Sequence, residues 1–295
     1  MVTRKSKFSG HQTFTVRYGW IEKGYRFIKS GFSFNQEDAI VHLGVGKNMV
    51  DSIRYWVELS GLLEYQEASR LADKLLDEEN GWDPYLEDNN SYWLLHWNIN
   101  TNSDLFHSGT AIFSYLRKPE FSKKDVNDSV LHIVEATDKR KPSVNILSKD
   151  IDCFLKLYVG NRRYIQGQKD EGFDSPFQEL NLIQLMNDSD LYCFNIGYKP
   201  NLSAEIICYA LWSYMKRHRK ATVTVNEALY GEESPGQIFM LDENSLIGAI
   251  ESLSNQEKWS DCIGYNEAAG IALLYCELED GMSLLESYYT EGGLE

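Results

Sequence analysis

The sequence NQEDAIVHLGVGKNMVDSIRYWVELSGLL, residues 35–63, contains two segments with helical spacing on either side of a glycine-containing turn. Asn35 is a suitable N-cap for a short helix over 36–43, and Gly44-Val45-Gly46 supplies the turn. A second helix is predicted to open at Asn48. Its apolar residues recur at i, i+4, i+7 and i+8, which is typical of one buried helix face: Met49, Ile53, Trp56 and Val57.

The end of the second helix extends this pattern. Gly61 is typical of the residue that follows a helix C-terminus, and Leu62-Leu63 leads into a predicted strand. Helix, turn, helix and strand in this order predict a winged-helix-like, helix-turn-helix unit, in which the start of the second helix enters the DNA major groove. The alternative is a unit of the same fold that mediates only protein contacts.

The segment Gly44-Val45-Gly46-Lys47 also resembles part of a phosphate-binding loop, which requires G-x-x-x-x-G-K-[ST] between a strand and a helix. The first glycine of that motif is replaced by Val41, and Asn48 stands where Ser or Thr would bind magnesium. The residues before the turn have helical rather than strand spacing. These three departures argue against a nucleotide-binding loop.

Residues on the solvent side of the second helix, near its start, would lie nearest to DNA. Lys47 is expected to contact a phosphate with help from the helix N-terminus, and Arg54 a phosphate or a guanine edge. Asn48 and Ser52 are predicted to share this face. Asp51 is unfavourable beside phosphates, which favours the alternative of protein contacts.

The N-terminal segment interleaves cations with aromatic residues. Cations bind phosphates and rings stack on unpaired bases, so this pattern suits a nucleic-acid groove. We predict DNA contacts from Lys7, His11 and Arg17. The alternative is that aromatic residues such as Phe14 and Trp20 form core, with the cations left at the surface.

Charge is segregated along the 295-residue chain, whose formal net charge is −15. Residues 1–54 carry nine Lys or Arg against four Asp or Glu, whereas residues 221–295 carry one against fifteen. A basic head suits a polyanion, and an acidic tail suits solvent or a basic partner. The alternative is a fold that mixes these segments and removes the asymmetry in space.

Composition argues against several other classes of protein. No run of 18 apolar residues exists, so no membrane span is expected, and the basic N-terminus leads into no apolar signal segment. Five widely spaced cysteines have no metal-ligand spacing, and Cys153, Cys208 and Cys276 lie in apolar contexts that we predict to be helical. Buried free thiols and a cytoplasmic location are therefore expected.

The whole chain is predicted to be mostly α-helical with short strands. Ser122, Ser148 and Ser203 are predicted helix N-caps, and the aromatic segment 91–97 is predicted to be a strand. The predicted domains are a winged-helix-like DNA-binding domain over 1–115 with an acidic insert at 64–91, a helical middle domain over 116–174, and an acidic helical C-terminal domain over 175–295.

The sequence contains no familiar nuclease arrangement of carboxylates or histidines. The densest acidic cluster, Asp83, Glu87 and Asp88, is interpreted as turn and cap residues rather than as ligands of a metal such as Mg²⁺ or Mn²⁺. His11 could act as a general acid or phosphate ligand, but a hydrogen-bonding structural role is the more common one. No catalytic set is predicted.

Several long motifs resemble the SspB family. They are densest in residues 8–97, although the similarity spans most of the chain. The motifs are Phe8-Ser9-Gly10-His11-Gln12-Thr13-Phe14, Arg17-Tyr18-Gly19-Trp20, Leu43-Gly44-Val45-Gly46-Lys47-Asn48-Met49-Val50, Ile53-Arg54-Tyr55-Trp56, Trp82-Asp83-Pro84-Tyr85-Leu86-Glu87-Asp88 and Trp93-Leu94-Leu95-His96-Trp97.

This resemblance implies a role in bacterial phage defence by phosphorothioate modification of the DNA backbone. The implied activity is nicking of one DNA strand, with Mg²⁺ or Mn²⁺ as the expected metal. The implied partners are double-stranded DNA, a cysteine desulfurase, an ATPase and an ATP-pyrophosphatase-like sulfur-transfer protein. Two alternatives stay open: a non-enzymatic adaptor that holds DNA for the sulfur-transfer enzymes, and a helical protein-interaction module.

Overall fold

The structure is a computed structural model that describes residues 5–102, 105–136, 141–160, 175–187, 189–268 and 271–292. Within these ranges the fold is mostly helical with small sheets of two or three strands, as predicted. The chain divides into two compact units, Met1–Phe194 and Asn195–Glu295. The finer division into three domains stays a prediction.

The first unit is a helical assembly whose core is rich in aromatic side chains. Its largest fully buried residues include Trp56, Trp93, Trp97, Phe154 and Tyr158. The elements in chain order are β1 (Lys5–Ser6), α1 (Trp20–Lys29), α2 (Ala39–Leu43), α3 (Lys47–Leu59), β2 (Leu63–Glu64), β3 (Glu67–Ala68), α4 (Arg70–Leu76), α5 (Asn89–Thr101), β4 (Leu105–Phe106), α6 (Ser108–Thr110) with a π-helical turn (Ala111–Tyr115), β5 (Glu120–Phe121), α7 (Lys123–Ala136), α8 (Val144–Tyr158), a 3₁₀ helix (Pro176–Leu180), β6 (Ile183–Leu185) and β7 (Tyr192–Phe194).

The two helices around the glycine turn form as predicted, with α2 shorter than expected at its N-terminus. Gly44 adopts a positive φ of 62°, which ends α2, and Gly61 adopts φ 70° after the last turn of α3. Strands β2 and β3 then pair antiparallel. Both loop residues of this hairpin, Tyr65 and Gln66, have positive φ, as the favoured two-residue hairpin turns require.

The segment 91–97 is helical, so the predicted strand is wrong. It belongs to α5, which begins where the Asp88 carboxylate accepts a hydrogen bond from the Asn90 amide at 2.8 Å. Almost every residue of α5 is buried. A helix surrounded by core on all sides loses its polar face, and so the 3.6-residue period that would distinguish it from a strand disappears.

Two of the three predicted serine caps are confirmed. Ser122 Oγ accepts from the Asp125 amide at 3.3 Å while Asp125 Oδ2 accepts from the Ser122 amide at 2.8 Å, which is a reciprocal capping box for α7. Ser203 Oγ accepts from the Ile206 amide at the start of the next long helix. Ser148 lies inside α8, whose cap is Ser143, so that prediction is one turn too late.

The second unit packs helices around a three-stranded antiparallel sheet. The sheet has the order β8–β10–β9, and Cys276 belongs to its central strand rather than to a helix as predicted. The buried free thiols of Cys153, Cys208 and Cys276 are confirmed. The elements are α9 (Ala204–His218), β8 (Thr222–Thr224), α10 (Val225–Tyr230), α11 (Pro235–Phe239), α12 (Glu243–Ser254), β9 (Ile263–Ala268), β10 (Ile271–Cys276), α13 (Met282–Ser287) and a π-helical turn (Tyr288–Gly292).

Across the described ranges, no helix combines the length and apolar character needed to cross a membrane.

Candidate nucleic-acid interface

Helix α3 begins with two exposed polar residues, Lys47 and Asn48. Gly46 occupies the N-cap position and has no side chain to cap the helix, while its carbonyl accepts from the amides of Met49 at 2.8 Å and Val50 at 3.0 Å. The amide groups of the first turn therefore face solvent and carry the partial positive charge of the helix dipole. This end of α3 favours an anion.

A shallow depression of about 280 Å³ adjoins this helix start. Phe14 forms its apolar side, opposite Lys47 and Asn48. The Arg17 guanidinium lies 5.7 Å from the Phe14 ring centroid and 5.2 Å from that of the buried Trp20. Aromatic packing thus holds Arg17 near the cation at the start of α3.

Lys23 adds a cation that the predicted DNA-binding set did not include. Its Nζ donates to the backbone oxygen of Leu43, the last residue of α2, at 3.3 Å. Lys23 therefore lies beside the turn that leads to Lys47. Sequence spacing gave no signal for this placement, because it depends on the packing of α1 against α2.

The remaining exposed side of α3 carries charges of alternating sign. Arg54 Nη1 donates to Asn35 Oδ1 at 2.7 Å, and Asn35 Nδ2 donates to Gln66 Oε1 at 2.8 Å. Lys7 Nζ lies 2.6 Å from Glu58 Oε2 and 5.3 Å from the Tyr55 ring. Lys7 and Arg54 are thus already bonded within the protein, whereas no described residue forms an ion pair with Lys47.

Two predicted DNA contacts, Ser52 and His11, are enclosed in the core, so their placement on the exposed face is wrong. Both side chains have no exposed surface. Ser52 Oγ donates to the backbone oxygen of Phe14 at 3.4 Å. The position of Ser52 on α3 points inward because the N-terminal segment packs over that side of the helix.

His11 belongs to a buried hydrogen-bond network around Asp150 of α8. The Thr13 amide donates to His11 Nδ1 at 3.0 Å, which assigns the ring proton to Nε2, and Nε2 donates to Asp150 Oδ1 at 2.9 Å. The Ser9 amide donates to the same oxygen at 2.6 Å. Ser108 donates to Oδ2 through its amide at 3.1 Å and its hydroxyl at 2.7 Å.

Four donors therefore surround the Asp150 carboxylate. Burial of this group opposes its ionisation, but the hydrogen bonds from His11, Ser9 and Ser108 outweigh burial and hold the pKa of Asp150 below its ordinary value. The network joins the N-terminal segment to α6 and α8. His11 thus has the structural role that was the alternative to a role in chemistry.

The acidic cluster serves as turn and cap residues, as interpreted from the sequence. Asp83 accepts from the Glu87 amide at 2.9 Å, from the Asp88 amide at 3.1 Å and from Ser91 Oγ at 2.5 Å. Asp88 caps α5. The side chain of Asp83 is thereby saturated by local donors.

No three His, Cys, Asp or Glu side chains within the described ranges lie together in a way that could hold a metal ion. The described residues thus do not fit the Mg²⁺ or Mn²⁺ that the resemblance implies. No metal ligand is assigned, and no step of a reaction is derived through a metal.

The chain belongs to the family described as "Protein of unknown function (DUF4007)", which matches residues 8–289. Two solved structures of SspB have a similar fold. A crystal structure of SspB shares 27% identity with a TM-score of 0.86, covering 98% of this chain and 90% of that one. A magnesium-bound crystal structure of SspB shares 27% identity with a TM-score of 0.85, covering 97% and 89%. No curated protein matches the chain.

Proposed function

We propose that this chain is a DNA-binding component of a bacterial DNA phosphorothioation system that defends against phage. Two kinds of observation support the proposal. The fold is that of SspB at 27% identity over 98% of the chain, and the motifs that resemble the SspB family include the start of α3. The observation that supports DNA binding most directly is the exposed pair Lys47 and Asn48 at that helix start.

The proposed DNA-binding surface consists of Lys47, Asn48, Arg17 and Lys23. In a winged-helix arrangement α2, the glycine turn, α3 and the β2–β3 hairpin present these residues to a duplex. Lys47 and the free amides of α3 bind a phosphate, while Arg17 and Lys23 extend the contact along the backbone. Lys7 and Arg54 contribute less, because Glu58 and Asn35 already bind them.

The proposed activity of the chain is nicking of one strand, which opens the duplex for sulfur insertion. Cleavage needs a positioned nucleophile and stabilisation of charge at phosphorus. The network around Asp150 is buried and saturated, so it cannot supply either group to a strand. No residue is assigned to the cleavage step.

The proposed partners are the cysteine desulfurase, the ATPase and the ATP-pyrophosphatase-like sulfur-transfer protein of the same system. The acidic C-terminal region is the proposed surface for one of them, because a dense negative charge attracts basic proteins and repels DNA. Ionic-strength-dependent co-purification with each partner tests this assignment. Capture that persists at high salt would contradict an electrostatic surface.

Fluorescence anisotropy with a labelled duplex tests DNA binding. The wild type should bind with a steep salt dependence, since each phosphate contact contributes roughly 0.9 to the slope of log affinity against log salt. A Lys47→Ala, Arg54→Ala double variant should bind more weakly and with a flatter slope. Lys124→Ala, which removes an exposed lysine on α7, is the matched control.

Unchanged affinity and slope in the double variant would contradict the assigned surface. Absence of any binding at low salt would contradict DNA binding as a whole and leave the protein-interaction module.

A supercoiled-plasmid assay separates nicking from adaptor function. Conversion to open circles with Mg²⁺ or Mn²⁺, abolished by EDTA, supports a nickase. Salt-dependent binding without open circles supports the adaptor that holds DNA for the sulfur-transfer enzymes.

A further inference from the structure

A pocket of about 380 Å³ lies between α1 and α2 in the first unit. Its size falls within the range of small-molecule sites, roughly 300–1,000 Å³. Nothing in the proposed DNA surface accounts for it. The side chains that give the pocket its chemical character are Glu22, Lys23, Arg26, Phe32, His42 and Tyr85.

Glu22 is a buried carboxyl group that lines the pocket. The residue is only 7% exposed, and no described residue forms a side-chain hydrogen bond or ion pair with it. Burial raises the pKa of this carboxyl to about 7, with a smaller opposing effect from its own backbone amide and Arg26. At neutral pH the group is therefore partly protonated and can both donate and accept.

Arg26 presents a second set of unused polar atoms. Its Nη2 is enclosed and has no acceptor among the described residues. Nε lies 2.9 Å from Glu78 Oε1, but its hydrogen is not aligned for a hydrogen bond. Glu22 and Arg26, four residues apart on α1, ordinarily would pair. Here they face one cavity unpaired, although buried polar groups are rarely left without partners.

Aromatic rings form the sides of the pocket. The His42 ring stacks on Phe32 with centroids 3.9 Å apart, and Phe32 stacks on the buried Phe27 at 5.5 Å. The Arg26 guanidinium lies 5.0 Å from the centroid of Tyr85. Flat aromatic surfaces with a carboxyl and a guanidinium between them suit a planar heterocycle that carries both donors and acceptors along its edge.

We propose that this pocket binds the nucleobase of a nucleotide, with Glu22 and Arg26 bonding to the edge of the base. Enzymes and binding proteins that extrude a base read it by such edge contacts and by stacking. Two sources share this chemistry: a free nucleotide, and a base extruded from bound DNA. The second source rests on the proposed function.

The position of the pocket suits a base extruded from bound DNA. Leu43 lines the pocket, and Lys47 follows it by four residues. Four residues span at most about 14 Å, which is about four nucleotide steps along one strand. Lys23, which also lines the pocket, lies beside the same turn. A strand held at the start of α3 therefore passes within reach of the pocket.

The test has two arms, both with the full-length protein. Equilibrium dialysis with each of the four nucleoside 5′-monophosphates measures binding of free nucleotides. Duplexes that carry 2-aminopurine at successive positions report extrusion, because the fluorescence of this base rises when it leaves the stack. Anisotropy on the same duplexes measures DNA binding independently.

Glu22→Gln and Arg26→Ala are the test variants, and Lys124→Ala is the control. Glu22→Gln keeps the size of the side chain, and circular dichroism verifies that each variant is folded. We expect at least one monophosphate to bind, and each test variant to weaken that binding about tenfold while the control leaves it unchanged. A fluorescence rise at one duplex position, lost in Arg26→Ala, identifies DNA as the source.

The outcomes separate the two proposals. Duplex binding without nucleotide binding or a fluorescence rise overturns the pocket and leaves the DNA surface intact. Nucleotide binding that neither variant weakens also overturns it. Loss of duplex binding alone overturns the proposed function, while the dialysis arm still decides the pocket.

Discussion

His11 and Lys47 occupy similar sequence contexts but very different places in the structure. Each is a basic residue that follows a glycine, in the motifs that resemble the SspB family. His11 has no exposed surface and bonds to Asp150 and to the Thr13 amide. Lys47 is exposed at the open end of α3. A shared motif thus contains one residue that holds the fold and one that faces solvent.

The cause of this difference lies far from both motifs. Asp150 is separated from His11 by 139 residues. Its carboxylate requires several donors to be stable in the core, and His11, Ser9 and Ser108 supply them. No carboxylate approaches Lys47 within the described ranges. The partner, rather than the basic residue itself, decides which of the two is structural.

The largest effect is expected for Asp150→Ala, which tests the buried side of the comparison. Removing this acceptor leaves the donors of His11, Ser9 and Ser108 unpaired in the core. The free energy of unfolding should fall by roughly 3–5 kcal/mol, as measured by urea denaturation. The control is Asp152→Ala, which removes an exposed partner of Lys123 and should cost about 0–1 kcal/mol. Equal losses in the two variants would show that the network contributes nothing special.

The second effect concerns Glu22, a buried acidic group that lacks the partners of Asp150. Its pKa is about 7 in the folded protein against 4.5 for the free group. The folded state therefore holds its proton more tightly, and stability is lost as pH rises through 7. The loss is about 3 kcal/mol, from 1.36 kcal/mol per pKa unit.

Urea denaturation at pH 4.5 and pH 8 measures this loss, after allowance for the other titrating groups. Glu22→Gln should flatten the dependence, and Glu37→Gln, at an exposed site, should not. A wild type whose stability rises over this interval by the same amount in all three proteins would contradict the assignment.

The exposed side of the comparison is tested by duplex binding. Lys47→Ala should weaken binding about tenfold and lower the salt slope by about 1, because one phosphate contact is lost. His11→Gln should lower stability, yet its folded form should keep the wild-type slope. An equal change of slope in both variants would remove the distinction between the two residues.

The smallest effect is expected for Lys7, which lies between the two extremes. It is half-exposed and pairs with Glu58 at 2.6 Å. Lys7→Ala should lower the free energy of unfolding by under about 1 kcal/mol. A double-mutant cycle with Glu58→Ala isolates the pair. A coupling energy as large as the loss in Asp150→Ala would place Lys7 with the structural residues.

Local pattern predicted most of the helical framework. Gly44 and Gly61 mark the ends of α2 and α3 because the backbone there needs a positive φ that glycine adopts without strain. Ser122 and Ser203 mark helix starts because their hydroxyl groups bond to the first-turn amides. These are interactions between residues at most a few positions apart, so the sequence contains all the information that they require.

Patterns failed where burial removed them. Segment 91–97 lies in a helix enclosed on all sides, so its residues show no polar face and resemble a strand. His11 and Ser52 were predicted to face DNA from their residue type and spacing, but a segment packed over each of them encloses it. Neither Asp150 nor the Phe14 carbonyl stands near its partner in sequence.

The sequence by itself determined the glycine turn, the start of α3, the predominance of helix and the likeness to the SspB family. These depend on backbone preferences and short-range bonds. Only the tertiary structure decided which basic residues are exposed, that Lys23 lies beside the turn, and that Glu22 and Arg26 share a cavity. Each of those depends on which distant segment covers a side chain, and burial changes the free energy of a polar group more than local sequence does.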